Sequence, residues 1–164
     1  MLLYIVRHAW AEEADESLWP DDRGRPLTKE GIKRFAKVVE KLVKREVAPE
    51  LIVTSPLTRC LETAQILAEG LAARPELVER EELAPGSDLG GLLEWSRRRG
   101  GRHEQMAWVG HAPDVGLITA DLVGDGHAAI SFSKAAVAAI EFEERPLRGQ
   151  GLLRWLVTAK LLGC

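Results

Sequence analysis

Cysteine is scarce in this 164-residue chain: Cys60 and Cys164 are the only two, and they form no spacing motif. That excludes a disulfide framework and a cysteine-based zinc site. An excess of positive charge is lacking as well. Lys and Arg number 22 against 25 Asp and Glu, for a net charge of -3 and a pI near 5.9. Proteins that hold nucleic acid or an acidic membrane surface are usually basic, so we expect neither as a partner. No apolar run approaches membrane-spanning length. The N-terminus has no charged stretch followed by a long apolar one, so no signal peptide is expected. Repeats and low-complexity tracts are missing too. What these absences leave is a cytoplasmic enzyme or binding domain. Its length fits one domain over residues 1–164 with a sizeable core.

What is present is a pattern that occurs three times. Leu2 to Val6 is an unbroken apolar run that stops on Arg7-His8. Leu51 to Thr54 is a second, closed by Ser55-Pro56-Leu57-Thr58-Arg59, and Gln105 to Val109 a third, closed by Gly110-His111-Ala112-Pro113-Asp114. Short apolar runs with β-branched residues, ended by polar turns, read as strands buried on both faces. Helical spacing follows. Thr28 is a good N-cap for a helix carrying Ile32, Phe35, Ala36, Val39, Leu42 and Val43 and ending near Glu46, although Gly31 stands where a capping box would place Glu. Pro56 fits the first helical position before a helix from Leu57 to about Leu71. Further helices are expected over Leu89 to about Arg99, stopping before Gly100-Gly101, and over Val115 to Val123. Glu76 to Val78 reads as a brief edge strand, and Ala135 to Phe142 with Leu152 to Thr158 as a hairpin on the sheet edge. Strands alternating with helices predict an α/β fold: a three-layer sandwich, its central sheet mostly parallel, with helices on both faces and an antiparallel C-terminal edge.

In an open α/β sheet the ligand crevice lies at the carboxyl ends of the strands, where Arg7, His8, Arg59 and His111 would all fall. Two guanidiniums match phosphate oxygens with a fixed fork. Two imidazoles supply a nucleophile and a further hydrogen-bond donor. The set meets the needs of phosphoryl transfer: hold the group, neutralise its charge and attack in line. A covalent phosphohistidine would divide the reaction into two displacements. The histidines have no metal-ligand spacing with nearby carboxylates, so no metal and no cofactor is expected. Arg59 in a first helical turn opposes the helix dipole unless an anion lies near. Cys60 reads as a small buried residue, and His103 and His127 as incidental loop residues.

Taken together, these motifs resemble the histidine phosphatase superfamily, the phosphoglycerate mutase-like proteins. Arg7-His8-Ala9 resembles the family's Arg-His-Gly signature with Ala for Gly, Ser55 to Arg59 its Ser-x-x-x-Arg motif, and Gly110-His111 its second-histidine motif. The small size, Arg25-Pro26-Leu27-Thr28, Glu82-Leu83-Ala84-Pro85 with Asp88, and His111-Ala112-Pro113 look most like the SixA-type phosphohistidine phosphatases. The resemblance implies His8 as nucleophile, with Arg7, Arg59 and His111 around the phosphate and Arg25 as a further contact. His8 would be neutral at the attacking nitrogen, its other nitrogen bonded to a backbone carbonyl. His111, if protonated, would donate to the phosphate. Glu82 falls where the family's larger members carry the acid that protonates the leaving oxygen, with Glu12, Glu13 and Asp15 as competitors. The implied activity is hydrolysis of phosphohistidine, in a protein or a small phosphoramidate. The alternatives are a broad phosphomonoesterase acting on metabolites and an inactive phosphate-binding module. The partner is accordingly a phosphorylated protein or a small phosphorylated substrate.

Overall fold

The structure, a computed structural model, describes residues 1–99 and 103–164. Among the described residues, six strands form one sheet. In chain order they are β1 (Leu2–Arg7), β2 (Leu51–Thr54), β3 (Glu76–Glu79), β4 (Gln105–Gly110), β5 (Val137–Glu141) and β6 (Leu152–Val157). Their spatial order is β3-β2-β4-β1-β5-β6. The first four strands run parallel, and β5 pairs antiparallel with both β1 and β6. This is the expected α/β arrangement with its antiparallel C-terminal hairpin.

Among the described residues, four α-helices cover the sheet: α1 (Lys29–Val43), α2 (Thr58–Glu69), α3 (Leu89–Arg99) and α4 (Asp114–Val123). Alternate strand residues face opposite ways, and the core divides accordingly. Tyr4, Val6, Ile52, Ala107 and Val109 pack with Phe35, Val38, Val39 and Leu42 of α1 and with Ala64 and Leu67 of α2. Leu3, Ile5, Leu51, Val53, Met106 and Trp108 pack with Leu89 and Leu92 of α3 and with Ile118 and Leu122 of α4. The result is three layers with apolar cores on both faces of the sheet.

Some boundaries differ from expectation. Helix α1 ends at Val43 rather than near Glu46, whose positive φ of 64° breaks the helical path. Its buried stripe runs through Val38, while Ile32 and Val43 stay exposed. Pro56 precedes α2 instead of opening it, since Leu57 is the cap. The stop expected at Gly100-Gly101 lies outside the described residues. No helix among the described residues is long and apolar enough to cross a membrane.

Thr28 caps α1 as expected, its Oγ1 accepting the Gly31 N–H at 2.8 Å. The missing capping-box Glu has a steric reason. A Cβ on Gly31 would lie 2.3 Å from the Trp10 carbonyl oxygen and 2.9 Å from Thr28 Oγ1. Completing the box by Gly31→Glu is therefore expected to destabilise the fold, by roughly 1–3 kcal/mol from overpacking. Urea unfolding reads this as a lower midpoint at unchanged slope. A neutral or raised midpoint would contradict the close approach of Trp10 to α1.

Candidate active site

Strand register brings the two histidines together. Arg7 of β1 stands opposite Gly110 of β4 in a parallel ladder, so the next residues, His8 and His111, leave the sheet side by side. The His8 N–H donates to the Gly110 carbonyl at 3.0 Å. The ring centroids lie 5.3 Å apart with an interplanar angle of 60°. Both residues are buried. On the other side of β4, Thr54 pairs with Val109, which puts Ser55 beside His111, with its Oγ 2.9 Å from His111 Nε2.

Arg59 enters from the first turn of α2 and is also buried. Thr63, one turn later, ties that helix to the β1 loop: its hydroxyl donates to the Arg59 carbonyl at 2.6 Å and accepts the Ala9 N–H at 3.1 Å. Arg7 donates from Nη1 to the Phe132 carbonyl at 2.7 Å. Two buried side-chain nitrogens among the described residues have no hydrogen-bond partner, Nε of Arg7 and Nε of Arg59. Leaving a buried donor unpaired costs free energy. That both belong to arginines of one cluster marks a place suited to an oxyanion.

Protonation follows from the surroundings. His8 Nδ1 lies 2.7 Å from the Ala9 carbonyl oxygen. A carbonyl can only accept, so Nδ1 carries the proton and Nε2 presents a lone pair. This is the carbonyl partner expected from the sequence. Burial pushes the His8 pKa down to about 4, helped by the charges of Arg59, Arg7 and Arg25 and opposed by the Ala9 bond. Burial, then Arg59, lowers His111 to about 3. The protonated His111 envisaged from the sequence is therefore absent from the free protein at neutral pH. Cys60 Sγ lies 3.3 Å from His111 Nε2, and burial raises its thiol to about 12, so it is a protonated packing residue.

The loop between β1 and α1 supplies a residue that sequence reasoning passed over. Asp22 accepts from Arg59 Nη2 at Oδ2 (3.0 Å) and from Arg25 Nε at Oδ1 (2.7 Å), and its carbonyl accepts from Arg59 Nη1 at 2.9 Å. The bond from Arg25, then the charges of Arg59 and Arg25, hold its carboxyl below the usual carboxylate range. Asp22 thus supplies a negative charge beside Arg59 at the start of α2. Nothing in the sequence spacing links that loop to a residue 37 positions away. Arg25 also donates to the Glu12 carbonyl.

Glu82 is placed differently from what an acid requires. It lies in a turn, Glu81–Leu83, whose Leu83 carbonyl passes close to Gly110. Its carboxylate is held by Arg80 through Nε at 3.0 Å and through Nη2. That pairing lowers its pKa below the usual range, so it carries no proton to give at neutral pH. Glu12, Glu13 and Asp15 are exposed in the first loop, where Asp15 accepts from Ser17. His103 faces Glu50 at 3.4 Å, and His127 is exposed. No group of three or more His, Cys, Asp or Glu among the described residues is arranged to hold a metal ion. An open cavity of about 490 Å³ adjoins the cluster and shares Arg7 with it.

Comparisons with known proteins bear on the fold and the family. An uncharacterized protein of Picosynechococcus sp. is 38% identical over 118 residues, 71% of this chain and 69% of that protein. The structure of the protein histidine phosphatase SixA complexed with tungstate superposes with a TM-score of 0.80 at 24% identity, covering 99% of each chain. A phosphoserine phosphatase mutant from Entamoeba histolytica, in complex with phosphoserine, gives 0.63 at 16% identity, covering 98% of each chain. At these identities the two structural likenesses concern the fold. A family model described as the histidine phosphatase superfamily (branch 1) matches residues 3–116. With that span covering most of the chain, the protein belongs to the histidine phosphatase superfamily.

Proposed function

We propose that this chain is a single-domain, metal-independent phosphohistidine phosphatase, and that His8 is its nucleophile. Nε2 of His8 attacks phosphorus, and the bond from phosphorus to the substrate nitrogen breaks with its electron pair going to the departing imidazole. Water then attacks phospho-His8, inorganic phosphate leaves, and the pair returns to Nε2. Arg7 and Arg59 neutralise the equatorial oxygens with the Nε groups that have no protein partner. His111 borders the same oxyanion, and Asp22 keeps Arg59 and Arg25 in position.

The observation that carries the choice of a phosphorus–nitrogen bond is the Arg80–Glu82 pair. An alkoxide needs a proton at the bond oxygen as it departs. The carboxyl in the position expected for that acid is ionised and tied to a guanidinium. Asp22 is ionised and tied in the same way. An imidazole leaves neutral once its far nitrogen has taken a proton from solvent, so it manages without a protein acid. Its partner on this reading is a phosphorylated protein or a small phosphoramidate. Two free cysteines, Cys60 and Cys164, suit a reducing compartment such as the cytoplasm.

Hydrolysis of para-nitrophenyl phosphate and of a phosphohistidine-bearing protein by wild type and His8→Ala tests the scheme. The variant is expected to lose at least about 10³-fold in kcat/KM on both, and the wild type to prefer the phosphohistidine protein over a panel of phosphomonoesters. Equal rates for wild type and variant would end the enzymatic reading. A His8-dependent preference for the panel would replace the phosphorus–nitrogen substrate with an ester.

The protonation state has a consequence for stability. His8 and His111 titrate near 4 and 3 in the fold, against about 6.5 in an unfolded chain. The unfolded chain therefore takes up more protons below about pH 6.5. The contribution of the neutral rings is complete above that pH and is lost as pH falls toward 4. Each ring adds a slope of at most about 1.4 kcal/mol per pH unit. Between about pH 6.5 and 5 carboxylates are ionised in both states and add little. The urea midpoint of the wild type is expected to fall from about pH 7 to about pH 5, and to fall less in His111→Gln. A flat wild-type midpoint would mean that neither ring is held neutral.

A further inference from the structure

The cavity beside Arg7 has a composition that the catalytic cluster does not explain. Arg7 is the one charged residue among those lining it and Ser131 the one hydroxyl; the rest are small or apolar, with no carboxylate, amide or second cation among the described residues. One wall is the start of α4, with Pro113 and Leu117. The other is the segment before β5, with Ile130 and Phe132. The two walls touch at Gly116, where a Cβ would lie 2.2 Å from the Ile130 carbonyl oxygen. The far wall also holds Arg7, whose Nη1 donates to the Phe132 carbonyl at 2.7 Å. Arg7 therefore has its Nη end on the cavity wall and an Nε with no protein partner. A phosphoryl group held on Arg7 borders this cavity, and the group it is bonded to can occupy it. Leu117, 56% exposed, stands at the rim.

We propose that this cavity is the leaving-group subsite and that it selects phosphoryl groups carried on a neutral planar ring, an imidazole or an aryl group, over sugar phosphates and nucleotides. The inference rests on the phosphatase reading above and adds to it the part of the chain that sets specificity. The flat faces of a ring displace water from Leu117, Pro113 and Ile130, while the far nitrogen of an imidazole keeps its contact with solvent at the open side of the cavity. Polyol hydroxyls entering the same space give up water and find Ser131 alone among the side chains. A second phosphate meets no cation other than Arg7, which the transferred group already engages.

Leu117→Asp tests this, because the residue is exposed and a charge there reaches the rim without entering the core. Two substrates are compared on each protein: 2-naphthyl phosphate, which has a ring to place in the cavity, and phosphoramidate, which has none. Intrinsic reactivity cancels when each substrate is referred to the wild type. The ratio of kcat/KM for 2-naphthyl phosphate to that for phosphoramidate is expected to fall about tenfold in Leu117→Asp. In Leu117→Met, which keeps the apolar rim, the ratio is expected to stay within about twofold of wild type. An unchanged ratio in Leu117→Asp, with His8-dependent turnover of both substrates intact, overturns the subsite and leaves the phosphatase standing. Wild-type turnover that His8→Ala does not abolish overturns the phosphatase, and the subsite with it.

Discussion

Arg7 stands opposite Gly110 in the parallel ladder between β1 and β4, and the rest of the candidate site depends on that pairing. The ladder is built from residues buried on both faces: Leu3, Tyr4, Ile5 and Val6 against Met106, Ala107, Trp108 and Val109. A slip of one residue would turn Trp108 and Ile5 toward the wrong layer. The apolar core therefore enforces the register, and the register sets His8 next to His111 at the strand ends. Strand β2 extends the row, so that Ser55 meets His111 and α2 carries Arg59 into the same space. The site inherits its precision from the packing beneath it.

Electrostatics set the second constraint. Two guanidiniums and two imidazoles crowded under little solvent repel one another and lose hydration. The molecule reduces that cost in two ways. Both imidazoles are held neutral by burial, and Asp22 is folded back from the first loop onto Arg59 and Arg25. Among the described residues, the buried side-chain nitrogens left without a hydrogen-bond partner are Nε of Arg7 and Nε of Arg59. A phosphoryl group is the kind of ligand that would satisfy both. Glu82 shows the same economy, since Arg80 binds its carboxylate and removes a proton source from the vicinity. For a departing imidazole that loss is immaterial, and for a departing alkoxide it is not.

Legibility differed from element to element for physical reasons. The apolar runs ending at Val6, Thr54 and Val109 were plain because a doubly covered strand is apolar along most of its length. Thr28 was plain because capping is a local bond, 2.8 Å long and three residues away. Gly31 looked like a defect in a capping box until Trp10 was seen pressed against it. The stripe of α1 was shifted by part of a turn: Ile32 and Val43 have the right spacing but lie at the margin of the buried face. The pairing of Glu82 with Arg80 was not legible, because the direction of a side chain is decided by its partners. Asp22 was invisible, since a salt bridge between a loop and a helix has no sequence period.

Local patterns of polarity were enough for the strands and helices and for the α/β class, because burial on both faces and helical spacing are written in them, and they put Arg7, His8, Arg59 and His111 forward as candidates. The sequence also carried the family, through motifs whose order along the chain survives without any knowledge of distance. Long-range packing settled the strand order β3-β2-β4-β1-β5-β6, the pairing of Asp22 with Arg59 and the apolar cavity that shares Arg7. Each of those joins segments far apart in the chain, and such contacts are chosen by which faces can be buried together, a property of the whole packed molecule.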